Sequence, residues 1–176
     1  MNTKQRIIVK IGTSSITHED GTINASAMEC VADDITRVMK DGHEVILVTS
    51  GAVGTGRSIV ALRDTPDEIA QKQVLAAVGQ AALIGEYRAL FRKQGVVPAQ
   101  ILVTKEDFRD TEHRDNMQRC FEALLHERIL PVVNENDTTA VTELMFTDND
   151  ELTALVAILM RVDQVIMLTT VHGVLG

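Results

Sequence analysis

Two short polar stretches carry side chains that could bind a small charged molecule. The first, 134–137, reads Asn-Glu-Asn-Asp and directly follows the apolar run 129–133; the second, 148–151, reads Asp-Asn-Asp-Glu. Side-chain amides donate and accept hydrogen bonds, whereas carboxylates only accept them. A mixed set therefore suits a zwitterion, with amides facing a carboxylate and carboxylates facing an ammonium or a metal ion. The alternative interpretation is a polar turn followed by a helix that Asp148 caps.

The apolar run 129–133 indicates where these side chains would stand. Short apolar runs of this kind are typical of strands buried on both faces in a parallel sheet covered by helices. Ligands of such sheets bind in the crevice outside the carboxyl ends of the strands. We therefore expect Asn134 to Asp137 to line a crevice of this kind.

A lysine and two glycine turns add a further chemical possibility. Lys10 is the one charged residue in the apolar run 7–11, where a buried ammonium is costly unless an anion meets it. Gly12 follows in a turn of small residues, and Ser50 and Gly51 follow the second predicted strand. Backbone amides of such turns can face a phosphate, although many similar turns bind nothing. With the carboxylates, they are compatible with phosphoryl transfer, which depends on positioning and charge neutralisation.

Strands and helices alternate along the chain, which predicts an α/β fold with a mostly parallel sheet and right-handed crossovers. The predicted strands are 7–11, 44–49, 96–103, 129–133 and 164–169. Helices are predicted after Asn24, from a capping box at 65–68 to about 94, after Thr111 and after Asp148. The loops after the strands share one rim, so residues 10–14, 50–54, 134–137 and 169–173 should line a single crevice.

The long helix that ends near residue 94 is assigned to packing alone. Its apolar stripe carries no convergent set of polar side chains, and Tyr87 is interpreted as an interface or surface aromatic. Cys30 and Cys120 lack the spacing of a zinc or redox site and are expected to be reduced core residues.

Composition excludes several classes of protein. The 176 residues predict one domain, 1–176, with 45% hydrophobic residues but only 3% aromatic ones. A net charge of -8 and the lack of a basic run disfavour nucleic-acid binding. No apolar run is long enough for a signal peptide or a membrane span, so a cytoplasmic protein without membrane attachment is expected. Walker A, protein-kinase and dinucleotide-binding motifs are absent from the sequence.

Five stretches together resemble the glutamate 5-kinase branch of the amino acid kinase family. They are VKIGTS at 9–14, VTSGA at 48–52, KQVLAAVGQ at 72–80, VNEND at 133–137 and DND at 148–150. The resemblance runs along the whole chain and implies a three-layer α/β sandwich of the amino acid kinase type, truncated at its C-terminus. Residues 1–176 would then comprise the glutamate-binding part and the start of the ATP-binding part, with the remainder of the nucleotide lobe absent.

The activity implied by this resemblance is phosphorylation of the L-glutamate γ-carboxylate to L-glutamyl 5-phosphate, the first step of proline biosynthesis, with ATP and Mg²⁺. It also implies proline as a feedback inhibitor, acting through a flap at 138–147, and assembly as a homodimer or homotetramer. Two alternatives stay open. One is a module that binds glutamate or proline, or supports oligomerisation, without turnover; the other is an enzyme of the same fold with a different acceptor.

The resemblance also implies roles for individual residues. Lys10 would contact the transferring phosphoryl group, Gly12 and Gly51 would donate backbone amides to it, and Asp150 would orient the lysine. The residues implied to hold glutamate are Ser50, Asn134, Asp137 and Asn149.

At the nucleotide site the sequence departs from the family pattern. Thr169 and Thr170 stand where the family has a Thr-Asp pair, so only backbone contacts are expected from the second position. A second phosphate-binding lysine, which the family carries further along the chain, has no counterpart here.

Overall fold

The computed structural model describes residues 3–63, 67–140 and 148–169. Within these ranges strands and helices alternate as predicted. The strands are β1 (Arg6–Ile11), β2 (Glu44–Val48), β3 (Pro98–Val103), β4 (Leu130–Glu135) and β5 (Gln164–Leu168). The helices are α1 (Thr13–Ile16), α2 (Ala25–Lys40), α3 (Ala52–Ile59), α4 (Glu68–Lys93), α5 (Lys105–Arg109), α6 (Thr111–His126) and α7 (Asn149–Met160).

The five strands form one parallel sheet in the order β3-β4-β2-β1-β5. Helices lie on both faces because side chains alternate along each strand. The odd-numbered positions of β1 pack against α2 and α4, whereas Ile8 packs against α6 and α7. The predicted α/β class and its three layers are therefore confirmed.

The sheet order creates a crevice between β2 and β4. The connections after β1 and β2 run through α2 and α4 on one face, and those after β3 and β4 run through α6 and α7 on the other. Because β2 and β4 are neighbours, their following loops diverge to opposite faces. A ligand crevice forms at such a switch point in an open parallel sheet.

Glycines bring α3 and α4 into backbone contact. A Cβ atom on Gly56 would lie 1.9 Å from the carbonyl oxygen of Leu75, and one on Gly79 would lie 1.7 Å from that of Ala52. Real Cβ atoms do not approach so closely, so no other residue fits at either position without a shift of the helices. The contact fixes the turn that precedes α3 relative to α4.

Two assignments of side chains to the surface or the core are wrong. Tyr87 is not a surface or interface aromatic: it is 1% exposed, stacks on Phe91 with 6.2 Å between ring centroids, and its hydroxyl lies 2.8 Å from Thr49 Oγ1. Cys30 and Cys120 are exposed rather than buried in the core, because each lies on the outer face of its amphipathic helix.

The helix starts agree with the sequence in part. Asn24 caps α2 by accepting from the Ala27 amide at 3.1 Å, as predicted. Asp67 accepts the Ala70 amide at the start of α4; Thr65 and Pro66, the first two residues of the predicted capping box, lie outside the described residues. Asp110, not Thr111, caps α6.

The 26-residue helix α4 is long and apolar enough, by length and composition alone, to cross a membrane. A core helix of a folded domain meets the same criteria. Here α4 packs against α2, α3 and β3 and buries Leu83 and Phe91 completely, which is the arrangement of a core helix.

Candidate active site

A crevice of about 470 Å³ opens at the carboxyl ends of β1, β2 and β4. Seven of the residues singled out in the sequence line it: Lys10, Gly12, Ser50, Gly51, Asn134, Asp137 and Asn149. They come from four separate stretches, which meet because all parallel strands end on the same rim.

Lys10 and Asp150 form an ion pair at this rim. The Lys10 Nζ atom lies 2.5 Å from Asp150 Oδ1, with the lysine side chain 13% exposed and the aspartate 51% exposed. Lys10 shares the face of Ile8 and so points towards α7, whose first turn carries Asp150. Asp148 caps that turn as predicted, accepting from the Asp150 amide at 2.9 Å. The ammonium is thereby held in place at the crevice, where it can neutralise a transferring phosphoryl group.

The two glycine turns differ in what they require. Gly51 precedes α3 with φ of 101°, a left-handed conformation that costs other residues about 1–2 kcal/mol. Gly12 has φ of -74°, and a Cβ atom there would lie 3.8 Å from Lys10 Nζ. Its missing side chain therefore leaves open the space beside the ammonium. The Gly12 amide donates to the Leu168 carbonyl at 3.3 Å, so a phosphoryl oxygen would compete with that carbonyl for it.

The amide side chains are linked to one another. Asn134 is 4% exposed and donates from Nδ2 to Gln80 Oε1 at 2.8 Å. Asn149 Nδ2 lies 2.6 Å from Ser50 Oγ, 2.5 Å from the Thr49 carbonyl and 3.1 Å from Asn134 Oδ1. The NH₂ groups of both asparagines are thus engaged within the protein, which differs from the expectation that they face a substrate carboxylate.

Asp137 contributes a carboxyl group to the wall of the crevice. Burial raises the pKa of its carboxyl, and the positive charge of Lys72 opposes this rise. Lys72 is exposed and lines the same crevice. An ammonium group of a ligand would compensate the buried carboxylate.

The assignment of α4 to packing alone is wrong. Lys72 lines the crevice, Gln73 donates to the Thr138 carbonyl at 3.3 Å, and Gln80 accepts from Asn134. Lys72 and Gln80 are eight residues apart, so they lie on one face of the helix with Ala76 between them. The i, i+4, i+8 spacing of Lys72, Ala76 and Gln80 is the sequence signal that could have placed the two polar side chains on one face of α4.

A larger cavity of about 830 Å³ lies at the opposite rim, beside the amino ends of the strands. Its acidic residues are already paired: Glu44 with Lys4 and Arg6, and Glu122 with Arg6. The C-terminal ends of α2, α4 and α6 also border it, and their partial negative charge disfavours an anion. The smaller crevice is therefore the better candidate for chemistry.

The remaining predicted residues are placed only in part. Thr169 follows β5, which pairs with β1 so that Leu168 lies opposite Ile11; this puts Thr169 on the same rim. Thr170 and residues 141–147 of the predicted flap lie outside the described residues.

The donor set fits a nucleotide at its phosphoryl end. Lys10 and the turn amides are suitable partners for a terminal phosphate. Among residues 3–63, 67–140 and 148–169, no group of three or more His, Cys, Asp or Glu could hold a metal ion. Mg²⁺ is commonly held by one or two carboxylates together with substrate phosphates rather than by a cage of protein ligands.

Fold and site together define a class: a parallel α/β domain with a lysine-bearing, phosphoryl-compatible crevice at its switch point. The sequence profile of the Amino acid kinase family matches residues 5–176. The chain therefore belongs to the amino acid kinase family.

Within that family the chain is similar to glutamate 5-kinases. It is 52% identical over 169 residues to glutamate 5-kinase of Chlorobaculum tepidum, covering 96% of this chain and 47% of the relative. It is 43% identical to that of Bacteroides thetaiotaomicron, with the same two coverages. It is 44% identical to that of Symbiobacterium thermophilum, covering 96% of this chain and 64% of the relative. The chain thus spans about half the length of most of these curated relatives.

Proposed function

We propose that this chain is the substrate-binding part of a glutamate 5-kinase, which phosphorylates the γ-carboxylate of L-glutamate at the expense of ATP, as the first step of proline biosynthesis. The observation that carries the proposal is the crevice between β2 and β4. There the Lys10–Asp150 pair and the Asp137 carboxylate lie on the same rim. A molecule with an ammonium at one end and a carboxylate at the other matches this distribution of charge.

Each residue has a distinct part in the proposed reaction. Asp137 binds the α-ammonium, and Ser50, Asn134 and Asn149 form the polar wall against the amino acid. Lys10 faces the γ-carboxylate and the group transferred to it, and Asp150 orients the ammonium.

The nucleotide would occupy the side of the rim beyond Gly12. ATP, when bound with Mg²⁺, supplies the phosphoryl group and much of the charge neutralisation. From this chain, Lys10 and the backbone at Gly12 and Gly51 would contact its phosphates, and Thr169 and Thr170 would lie nearest the rest of the nucleotide. Residues 1–176 would comprise the glutamate-binding part and the start of the ATP-binding part.

Further features of the proposal concern the whole protein. We expect a cytoplasmic homodimer or homotetramer that binds neither nucleic acid through this domain nor membranes. Proline would act as feedback inhibitor through residues 138–147, next to the glutamate site.

The proposal is tested with the 176-residue chain. Calorimetric titration should detect binding of L-glutamate, and hydroxylamine should trap the acyl phosphate formed when ATP and Mg²⁺ are added. Binding without trapped product would show a glutamate-binding module rather than a complete enzyme. Failure to bind glutamate would contradict the proposed substrate.

Replacing Lys10 by Ala, or Asp150 by Asn, should lower kcat by about 10²–10³-fold, with a much smaller change in the Kd for glutamate. Both residues act on charge that develops during transfer, and interactions made only in the transition state affect turnover. Asp137→Ala should instead raise the Kd and KM for glutamate, because it removes ground-state binding. Equal losses of kcat and affinity in Asp137→Ala would contradict its assigned part.

A further inference from the structure

A closed set of hydrogen bonds connects four elements beneath the crevice. From α4, Gln80 contacts Asn134 at the end of β4, and Asn134 contacts Asn149 at the start of α7. Asn149 contacts the Thr49 carbonyl and Ser50 Oγ. The Thr49 side chain returns to α4 through the Tyr87 hydroxyl. We call this set the amide ring.

Period-two alternation explains why the amide ring begins and ends on α4. Thr49 continues the parity of Leu47, and Asn134 continues that of Val132, and both of these apolar residues pack in the layer of α2 and α4. Gln80 and Tyr87 are seven residues apart, about two helical turns, and so present one face of α4 to both strands.

Two backbone groups determine the orientation of every amide in the ring. The Glu135 N–H donates to Asn134 Oδ1 at 2.9 Å, so Asn134 must turn its NH₂ to Gln80, which accepts with Oε1. The Thr49 carbonyl can only accept, so Asn149 must turn its NH₂ to it. No second assignment satisfies both backbone groups.

The ring therefore decides which atoms remain for a ligand. The two hydrogens of the Asn149 NH₂ are shared among three acceptors. Because an amide nitrogen donates but does not accept, Ser50 Oγ can only accept from it, and no described residue accepts the Ser50 hydroxyl proton. Likewise, none of the described residues donates to Asn149 Oδ1. Both residues line the crevice, so the Ser50 hydroxyl offers a ligand a neutral donor and the Asn149 carbonyl offers it a neutral acceptor.

We propose that Gln80 and Tyr87 are positioning residues: they hold Asn134 and Thr49 in place and so maintain the hydrogen-bonding polarity that the two backbone groups impose on the crevice. That polarity is a donor at the Ser50 hydroxyl for a ligand carboxylate, and an acceptor at the Asn149 carbonyl for a ligand ammonium. The assignment of these two ligand groups rests on the proposed glutamate substrate. The orientation of the amide ring does not depend on that substrate.

The first test needs no substrate. Side-chain NH₂ signals of Asn134 and Asn149 are followed by NMR hydrogen exchange in the 176-residue chain. They should be protected in the wild type and in Gln80→Glu, which keeps an acceptor oxygen. Protection of the Asn134 signal should be lost in Gln80→Met, which is similar in size but accepts no strong hydrogen bond. Equal exchange rates in all three proteins would overturn the inference, whether or not glutamate binds.

The second test measures function. Gln80→Met should weaken glutamate binding by about tenfold, the consequence of losing roughly one well-placed hydrogen bond, whereas Gln80→Glu should stay within about threefold of the wild type. Tyr87→Phe breaks the ring at its other end and should weaken binding in the same sense. In a variant with turnover the loss should appear in KM rather than kcat.

The outcomes separate the two proposals. If the wild-type chain does not bind glutamate, the proposed function is contradicted. The hydrogen-exchange measurement then still tests the inference about the amide ring. Normal glutamate binding by Gln80→Met, or equal weakening in Gln80→Met and Gln80→Glu, shows that Gln80 has no positioning role. Thermal unfolding of each variant confirms that it is folded at the temperature of the titration.

Discussion

The Asp137 carboxyl lies half-buried beside Lys72, and burial raises its pKa above the ordinary value of 3.8 while the lysine charge opposes the rise. Because folding raises this pKa, the native protein binds the proton of the carboxyl more tightly than the unfolded protein does. Its contribution to stability is therefore full below the unfolded pKa and is lost as pH rises through the folded pKa. At neutral pH the ionised Asp137 destabilises the fold in exchange for a charge that can bind ammonium.

Asp137→Asn should accordingly raise Tm at neutral pH. The gain should disappear below about pH 3.8, where the Asp137 carboxyl of the wild type is protonated in both the folded and the unfolded protein. Each kcal/mol of relieved desolvation corresponds to about 2–4 °C in a chain of this size. Thermal unfolding across pH checks the prediction. Asp115→Asn, at an exposed aspartate, is the control and should change stability by less than about 0.5 kcal/mol. A neutral-pH loss of Tm in Asp137→Asn would contradict the account.

Gly12→Ala tests the space beside the Lys10 ammonium. The backbone at Gly12 has a negative φ, and a Cβ atom would make only ordinary contacts, 3.8 Å from Lys10 Nζ and from the Leu168 carbonyl. We expect Tm to stay within about 2 °C of the wild type. If the chain transfers a phosphoryl group as proposed, kcat/KM for ATP should fall, because the methyl group would occupy the proposed position of that group. Unchanged kcat/KM would place that group elsewhere.

The sequence predicted which candidate residues share the crevice, but it did not predict how their side-chain atoms are oriented. Lys10, Ser50, Asn134 and Asn149 could be placed on one rim because parallel strands end together. The orientation of the amides could not be predicted, since it depends on the Glu135 amide and the Thr49 carbonyl, backbone groups that meet only in the folded sheet.

At the scale of elements, α3 and α4 behave as one unit because their backbones touch at Gly56 and Gly79. Gly79→Ala should destabilise the protein despite the better helix propensity of alanine, since the added methyl group would lie 1.7 Å from the Ala52 carbonyl oxygen. Separation of the helices would also shift the Gly51 turn, so activity should fall with stability. Chemical denaturation and glutamate titration check both effects.

Gly85→Ala in the same helix is the matched control. Apart from its two chain neighbours and the backbone of its own helix, no described atom lies within 4 Å of a Cβ atom built there, so alanine should stabilise α4 by about 0.5–1 kcal/mol. Opposite signs for the two substitutions are the expected result. If both stabilise, the close helix contact does not exist in solution.

The sequence patterns did not reveal that α4 brings polar side chains to the crevice. Apolar residues occur around much of this helix because it packs against α2, α3 and β3, so no clean polar stripe separates Lys72 and Gln80 from the packing residues. The partner of Gln80 on β4 is 54 positions away. Such a contact becomes visible only when the strand order is known.

Across the whole molecule, Arg6 joins the sheet to the second helical layer. Its guanidinium donates to Glu44 and, through two nitrogens, to Glu122, each at 2.8 Å, and also to the Met160 carbonyl at 2.8 Å. Burial alone would raise the pKa of Glu44, but hydrogen bonds from Lys4 and Arg6 hold it below the ordinary value of 4.5. Stability from Glu44 is therefore present above pH 4.5 and lost as pH falls through its folded pKa.

Arg6→Met should lower the free energy of unfolding by about 1.5–3 kcal/mol at neutral pH, as expected for hydrogen bonds to charged groups. The deficit relative to the wild type should shrink in acid, once Glu44 is protonated. Arg37→Met, which removes an exposed ion pair with Asp34, should cost at most about 1 kcal/mol. Urea titrations at several pH values provide the comparison, and a deficit that does not depend on pH would contradict the role of Glu44.

The architecture as a whole was the most predictable property. Apolar runs separated by amphipathic helices dictate a covered parallel sheet, and all five strands lie within about two residues of their predicted bounds. The strand order was not predictable from these patterns, because β4 inserts between β2 and β3. That insertion creates the crevice.

The outermost strand β5 has a practical consequence for anyone who purifies this chain. Among the described residues β1 is the only strand that pairs with it, and Val165, Ile166 and Met167 are 42%, 36% and 41% exposed. An open apolar strand edge is a template for unwanted aggregation. Light scattering should rise with protein concentration, and Ile166→Lys should suppress the increase, which would make the lysine variant the better starting material for crystallisation.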